Sequence, residues 1–267
     1  MDLHRVETYL RPHDFTTIKT WDAHHAWLAG GTWLFSEPQP HLHTLVDLEA
    51  LNWQEIEPEP ERIGIGATCS LTQLTSYPWP PSWQATRLFS QAVSALAASF
   101  KVTHLATIGG NLCLALAVGV MAPVCVLLDA TYEIWKPGGD RRFVPARQFQ
   151  VGHQQTALQT GEVLRRIWLP STYLTWRTGF QRFGMTATDP ALALVMVAQD
   201  PASGATRICL GACVAAPQLL EFGTHPGPAD LTPALESIRW LDDLRASARY
   251  RHQITQVLIT RALSALA

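Results

Sequence analysis

The chain has 267 residues, with 20 basic and 22 acidic side chains and a formal charge of −2 at pH 7. That balance lacks the cationic excess a phosphate-backbone binder needs, so nucleic-acid binding is disfavoured; with 47% hydrophobic and 16% charged residues, disorder is excluded. The length supports two domains of roughly 100–150 residues or one large one. Low charge density beside 10 tryptophans fits a surface partly covered by partners, and fits a Trp-rich core equally well.

In chain order, Met1–Glu7 carries both charges and no apolar run, so it does not read as a secretory signal. Asp14 can cap a short helix carrying Phe15, Ile18 and Trp21. Ala26–Ala29 and Leu45–Leu48 read as short strands, and Pro58 with Pro60 marks a linker. Arg62–Ala67 alternates as a strand does, Ser70 begins a short helix, and Gln84–Ser99 has apolar residues at helical spacing. Tyr132–Trp135 and Arg142–Val144 flank Pro137-Gly138-Gly139-Asp140, a hairpin signal. Val163–Leu169 looks like a strand closing this half. Beyond a break near 160–170, Phe180–Phe183, Ala191–Ala198 and Ile208–Val214 read as three strands, and Arg249–Ala267 as a closing helix. The fold class is α+β.

The stretch from Leu112 to Leu128 is almost wholly apolar but only 17 residues long, the lower edge of spanning length. Gly119 and Pro123 interrupt it, so it reads as a buried helix or broken helix pair rather than a membrane span. Cys69, Cys113, Cys125, Cys209 and Cys213 are scattered, which suits reduced thiols in a cytoplasm and not an iron–sulfur cluster. Cys209 and Cys213 are four apart; on one strand they would share a face as small buried hydrophobes. His24-His25 and His41-Leu42-His43 read as surface or capping residues, because no Cys or carboxylate pair completes a metal site. No Ser-His-Asp order or nucleophile elbow appears.

Two Gly-Gly segments carry the most information: Gly30-Gly31-Thr32, and Thr107-Ile108-Gly109-Gly110-Asn111. Glycine permits φ > 0 and close approach of a ligand to the main chain. Successive N–H groups in such a turn converge on one concavity and favour an anion. Two such loops facing each other would hold a pyrophosphate without lysine. Each alone is also compatible with a plain tight turn, and neither fits the G-x-G-x-x-G or P-loop pattern.

Leu28-Ala29-Gly30-Gly31-Thr32-Trp33-Leu34 and Ala106–Cys113 resemble the two flavin-binding loops of the FAD subunit of molybdenum hydroxylases, the family of xanthine dehydrogenase and aerobic carbon monoxide dehydrogenase. Pro123 in an apolar helix ending Leu127-Leu128-Asp129-Ala130, Gly161–Leu164 leading to Pro170, Gly179–Phe183 with Asp189, and Tyr250-Arg251 extend the resemblance over nearly the whole chain. It implies a two-part FAD-binding domain of the vanillyl-alcohol oxidase / PCMH type at 1–165 (subdomains about 1–57 and 58–165). A small C-terminal α+β domain, a three-stranded sheet with helices, would follow at 166–267.

The implied FAD site comprises Ala29, Gly30, Gly31, Thr32, Trp33, Leu34, Thr107, Ile108, Gly109, Gly110 and Asn111. Leu164 would lie near the isoalloxazine ring and Arg182 close to the flavin, where a cation stabilises a reduced, anionic ring. The resemblance further implies a molybdopterin-binding large subunit and a [2Fe–2S] small subunit as partners. NAD+ or another soluble acceptor would take the electrons, with no catalytic side chain needed beyond the flavin. Two departures stand out: Val120 takes a position where the family commonly has Asp, and Trp33 one where a small or acidic residue is usual. The apolar Leu114–Val120 segment keeps a flavin-free assembly or scaffolding subunit open as an alternative, beside a stand-alone flavin oxidase.

Overall fold

A computed structural model describes residues 3–266; Met1, Asp2 and Ala267, which the sequence reading placed in the opening segment and closing helix, lie outside them. Three strands open the chain: β1 (Thr8–Leu10), β2 (His25–Leu28) and β3 (Thr44–Asp47), in a parallel sheet of order β1-β3-β2. Asp14 does cap, its carboxylate accepting the Thr16 N–H at 2.9 Å, but the helix is one 3₁₀ turn, Phe15–Thr17, with Trp21 beyond it. Phe15, Val46, Leu48, Trp53 and Val163 form a small core joining this sheet to the next layer.

That layer is a five-stranded sheet built from β4 (Ile56–Pro58), β5 (Arg62–Gly66), β6 (Thr131–Trp135), β7 (Arg141–Pro145) and β10 (Val163–Pro170), in the order β4-β5-β10-β6-β7. Between β5 and β6 run α1 (Leu71–Ser76), α2 (Arg87–Ala95), α3 (Phe100–Leu105), α4 (Ile108–Leu114) and α5 (Met121–Leu127). After β7 come α6 (Ala146–Phe149), β8 (Gln150–Gly152) and β9 (Gln155–Thr156). Two expectations shift here. Pro58 ends β4 and is no linker, because at a sheet edge its missing N–H costs nothing. Val163–Pro170 is the central strand of the sheet, so the expected 165/166 boundary falls inside β10.

The apolar 112–128 stretch is the predicted broken pair. All seven residues of α5 are buried, as befits a helix apolar on every face. Ala115, at φ +50°, turns the chain out of α4, and the buried Gln150 amide donates to the freed Ala115 carbonyl at 2.9 Å. Among the described residues no helix is long and apolar enough to cross a membrane.

Following α7 (Ser171–Leu174), the C-terminal part holds four antiparallel strands where three were expected: β11 (Arg177–Phe183), β12 (Ala193–Gln199), β13 (Thr206–Gly211) and β14 (Gln218–Phe222). The missed strand, β14, is an edge strand with a half-exposed pattern. Cys209 and Cys213 face different cores, because Ala212 at φ +61° breaks the strand alternation between them. Then α8 (Pro228–Glu236) and α9 (Ala248–Ser264) cover the sheet. Arg251, fully buried, staples α9 down by donating to the Leu192 and Ala212 carbonyls (2.6 and 3.0 Å) and to both Asp243 oxygens (2.8 Å each).

Candidate functional site: a groove between two glycine segments

The two segments meet. Where β2 ends, Ala29–Ser36 forms a turn closed by Phe35 N–H to Gly31 O (3.0 Å), Ser36 N–H to Trp33 O (2.8 Å) and Ser36 Oγ to Thr32 O (2.7 Å). Gly30 runs so close to α3 that a Cβ there would sit 1.8 Å from the Leu105 carbonyl oxygen. Gly31 adopts φ +67°, which a side chain disfavours. Among the described residues, the N–H groups of Gly30, Gly31, Thr32, Trp33 and Leu34 bond to no protein acceptor. Unpaired main-chain donors in series are what an anion requires of a peptide turn.

The second segment differs from its reading. It is no loop: Thr107 is the N-cap and Ile108-Gly109-Gly110 the first turn of α4. Its donors are spent inside the protein. Ile108 N–H goes to Cys69 O and Gly109 N–H to Ala67 O (2.9 Å each), Gly110 N–H to Thr107 Oγ1 and Asn111 N–H to Thr107 O (3.0 Å each). Neither of its glycines has positive φ. Gly109 is there for close packing, since a Cβ would lie 2.6 Å from the Ala67 carbonyl oxygen. Ser70 and Thr107 form an isolated antiparallel bridge that fixes this end of the segment.

Between the segments lies a groove of about 610 Å³, a size suited to an organic cofactor. Ala29, Gly30, Gly31, Thr32, Trp33 and Leu34 line one side, and Thr107, Gly110 and Asn111 the other, so nine of the site residues expected from the sequence share it. Asn111 accepts the Met121 N–H on Oδ1 at 3.1 Å, tying α4 to the start of α5, whose N-cap Val120 offers no side-chain acceptor. Ile108 and Gly109 are buried beneath the groove. Leu164 is core and Arg182 lies outside the lining; the Arg182 guanidinium donates to the Asp189 carbonyl instead.

Leu114, Leu116 and Val118, from the apolar segment singled out in the sequence, form part of the wall; Trp27, Leu96 and Val102, which extend it, were not expected from the sequence. Only their adjacency to the glycine motifs could have marked them. Trp27 stacks on Trp21 with ring centroids 3.8 Å apart and donates its indole N–H to the Glu162 carbonyl at 3.0 Å. Glu162 is itself clamped by Arg142 through contacts of 2.7 and 2.6 Å, and that guanidinium holds its carboxyl below the usual carboxylate range. Cys113 also lines the groove, but burial pushes its thiol up to about 12, so it stays protonated at neutral pH and is no nucleophile. A second, more polar pocket of about 460 Å³ opens on the far side of Gly30 and Thr107, lined by Asp47, Asn52, Gln54, Thr68, Ser70 and Gln73 among others.

Residues 6–172 match the family described as the FAD binding domain in molybdopterin dehydrogenase, and the chain belongs to that family. Its similarity to individual proteins is lower. A nicotine 6-hydroxylase medium subunit from Paenarthrobacter nicotinovorans is 27% identical over 61% of this chain and 61% of its own length. Xanthine dehydrogenase 1 of Arabidopsis thaliana is 31% identical over 28% of this chain and 6% of its own length. Among solved structures, a reconstituted CO dehydrogenase from Oligotropha carboxidovorans superposes with a TM-score of 0.87 at 23% identity, covering 100% of this chain and 99% of that one. Quinoline 2-oxidoreductase from Pseudomonas putida 86 gives 0.79 at 24%, with 97% and 98% covered. The groove fits the family's cofactor: free amides for the diphosphate beside an apolar slot for a planar ring.

Proposed function

We propose that this chain is the FAD-carrying electron-transfer subunit of a molybdenum hydroxylase complex located in the cytoplasm. FAD bound in the groove would supply the chemistry of taking up an electron pair and handing it on. Electrons would come from [2Fe–2S] clusters on a small partner subunit, after substrate oxidation at a molybdopterin-bearing large subunit, and leave to an acceptor such as NAD+. The protein's own part is to hold the cofactor. Gly30–Leu34 N–H groups would face the diphosphate, with Thr107 and Asn111 as side-chain partners, while Trp27, Trp33, Leu114 and Leu116 exclude water around the rest. Leu164 and Arg182 stay in the proposed set on the resemblance alone. The proposed division is a flavin domain over about 1–165 in two parts and a C-terminal domain over 166–267, with β10 crossing the line between them.

The observation that carries this reading is the run of unpaired amides in the 30–34 turn beside an apolar slot. A flavin-free assembly subunit is the second reading, favoured by the apolar 114–120 segment and by the spent donors of α4. Titrating the purified protein with FAD and with riboflavin decides between them. Tight FAD binding with riboflavin at least a hundredfold weaker supports a diphosphate site. Binding of neither supports the scaffold, and equal binding of both removes the amide turn from the account.

A further inference from the structure

We infer that α3 is a hinged strap that opens to admit the dinucleotide and closes over it; this rests on the flavin reading above. The groove and the polar pocket share Leu28, Ala29, Gly30 and Thr107 as walls. What divides them is the approach of the Leu105 carbonyl to Gly30. Val102 of α3 lines the groove while His104 and Leu105 line the pocket, so the six-residue helix lies across the junction.

The helix is held weakly. It buries none of its residues, and Phe100 and Leu105 stand 75% and 56% exposed. Segments with few buried apolar contacts open at low cost. Its C-terminal end is anchored: Ala106 O accepts the Leu71 N–H at 2.8 Å, next to the Ser70–Thr107 bridge. Its N-terminal end is preceded by Ala97 at φ +55°, a left-handed conformation that an L residue with a Cβ disfavours. This is the turn that ends α2, where the Ala97 N–H donates to the Ser94 carbonyl at 3.4 Å, and the strap pivots just beyond it. Anchored at 106–107 and pivoting at 97, Phe100–Leu105 opens by local unwinding, lifting the Leu105 carbonyl off Gly30 and joining the two cavities.

Lys101 reports the motion, being an exposed lysine on α3. Cleavage after Lys101 by a lysine-specific protease is followed in the full-length protein, first without flavin. Ala97→Gly favours the left-handed turn from which the closed strap leaves α2, so cleavage at Lys101 should slow on the order of tenfold relative to the parent; equal or faster cleavage overturns the inference. The second arm adds FAD and reads flavin absorbance in the same sample. Cleavage at Lys101 slowed at least tenfold in flavin-loaded protein supports the strap, and an unchanged rate in loaded protein overturns it. Should no flavin bind, the reading of the groove fails, and the Ala97→Gly arm alone decides the strap.

Discussion

Two segments with the same glycine dipeptide do opposite things in this fold. Gly30-Gly31 sits at the open edge of β2, where the chain turns with φ +67° at Gly31 and leaves its amides unpaired. Gly109-Gly110 sits in the first turn of α4, where every amide has a protein partner and Gly109 is pressed against Ala67. The first leaves a turn with free donors facing the groove, and the second is a packing device that sets the opposite wall. A glycine pair therefore announces a missing side chain; where the amides go decides whether a ligand is involved.

Substitutions should separate the two roles. Gly109→Val is expected to have the largest effect: a side chain forced into the Ala67 carbonyl should cost about 3 kcal/mol or more and, measured by urea unfolding, lower stability whether or not flavin is present. Glu162→Gln should cost about 2–3 kcal/mol at pH 7, because the Arg142 guanidinium loses its buried partner. The folded-state pKa of Glu162 is depressed, so its contribution is fully present above the unfolded carboxyl value of about 4.3 and is lost as pH falls through the folded one. Unfolding curves of parent and variant should therefore draw together as pH falls below the unfolded carboxyl value and meet only below the depressed folded one.

Gly31→Ala should cost about 1–2 kcal/mol through the left-handed φ and weaken FAD by roughly tenfold, read by flavin fluorescence titration. Thr107→Val should be mildest, removing an N-cap worth about 1 kcal/mol in thermal unfolding while weakening FAD only a few-fold. An effect on FAD larger than that of Gly31→Ala would reverse the assignment of roles.

Much of the architecture was legible because strong local signals agree with tertiary demands. Asp14 and Ser70 cap where their side chains predict, and the Pro137–Asp140 turn joins β6 to β7. The apolar stretch does divide into α4 and α5, with Ala115 and Gly119 in the gap and Pro123 tolerated in the first turn of α5. What stayed hidden depends on partners distant in sequence. Pro58 looks like punctuation until β5 pairs beside it, and Val163–Pro170 gives no sign that it will lie between β5 and β6. The site was legible as two glycine motifs, whereas the spending of α4's donors on Cys69 and Ala67 could not be read locally. Arg182 shows the same limit: its charge is visible in the sequence, its engagement by the Asp189 carbonyl is not.

The most direct test follows backbone amide resonances of the full-length protein during FAD addition. The account expects Gly30, Gly31 and Thr32 amides to shift strongly and gain protection from hydrogen exchange, with Ile108, Gly109 and Gly110 amides, already bonded inside the protein, changing little. Strong shifts confined to 108–110, with the 30–32 amides unmoved in flavin-loaded protein, would contradict it.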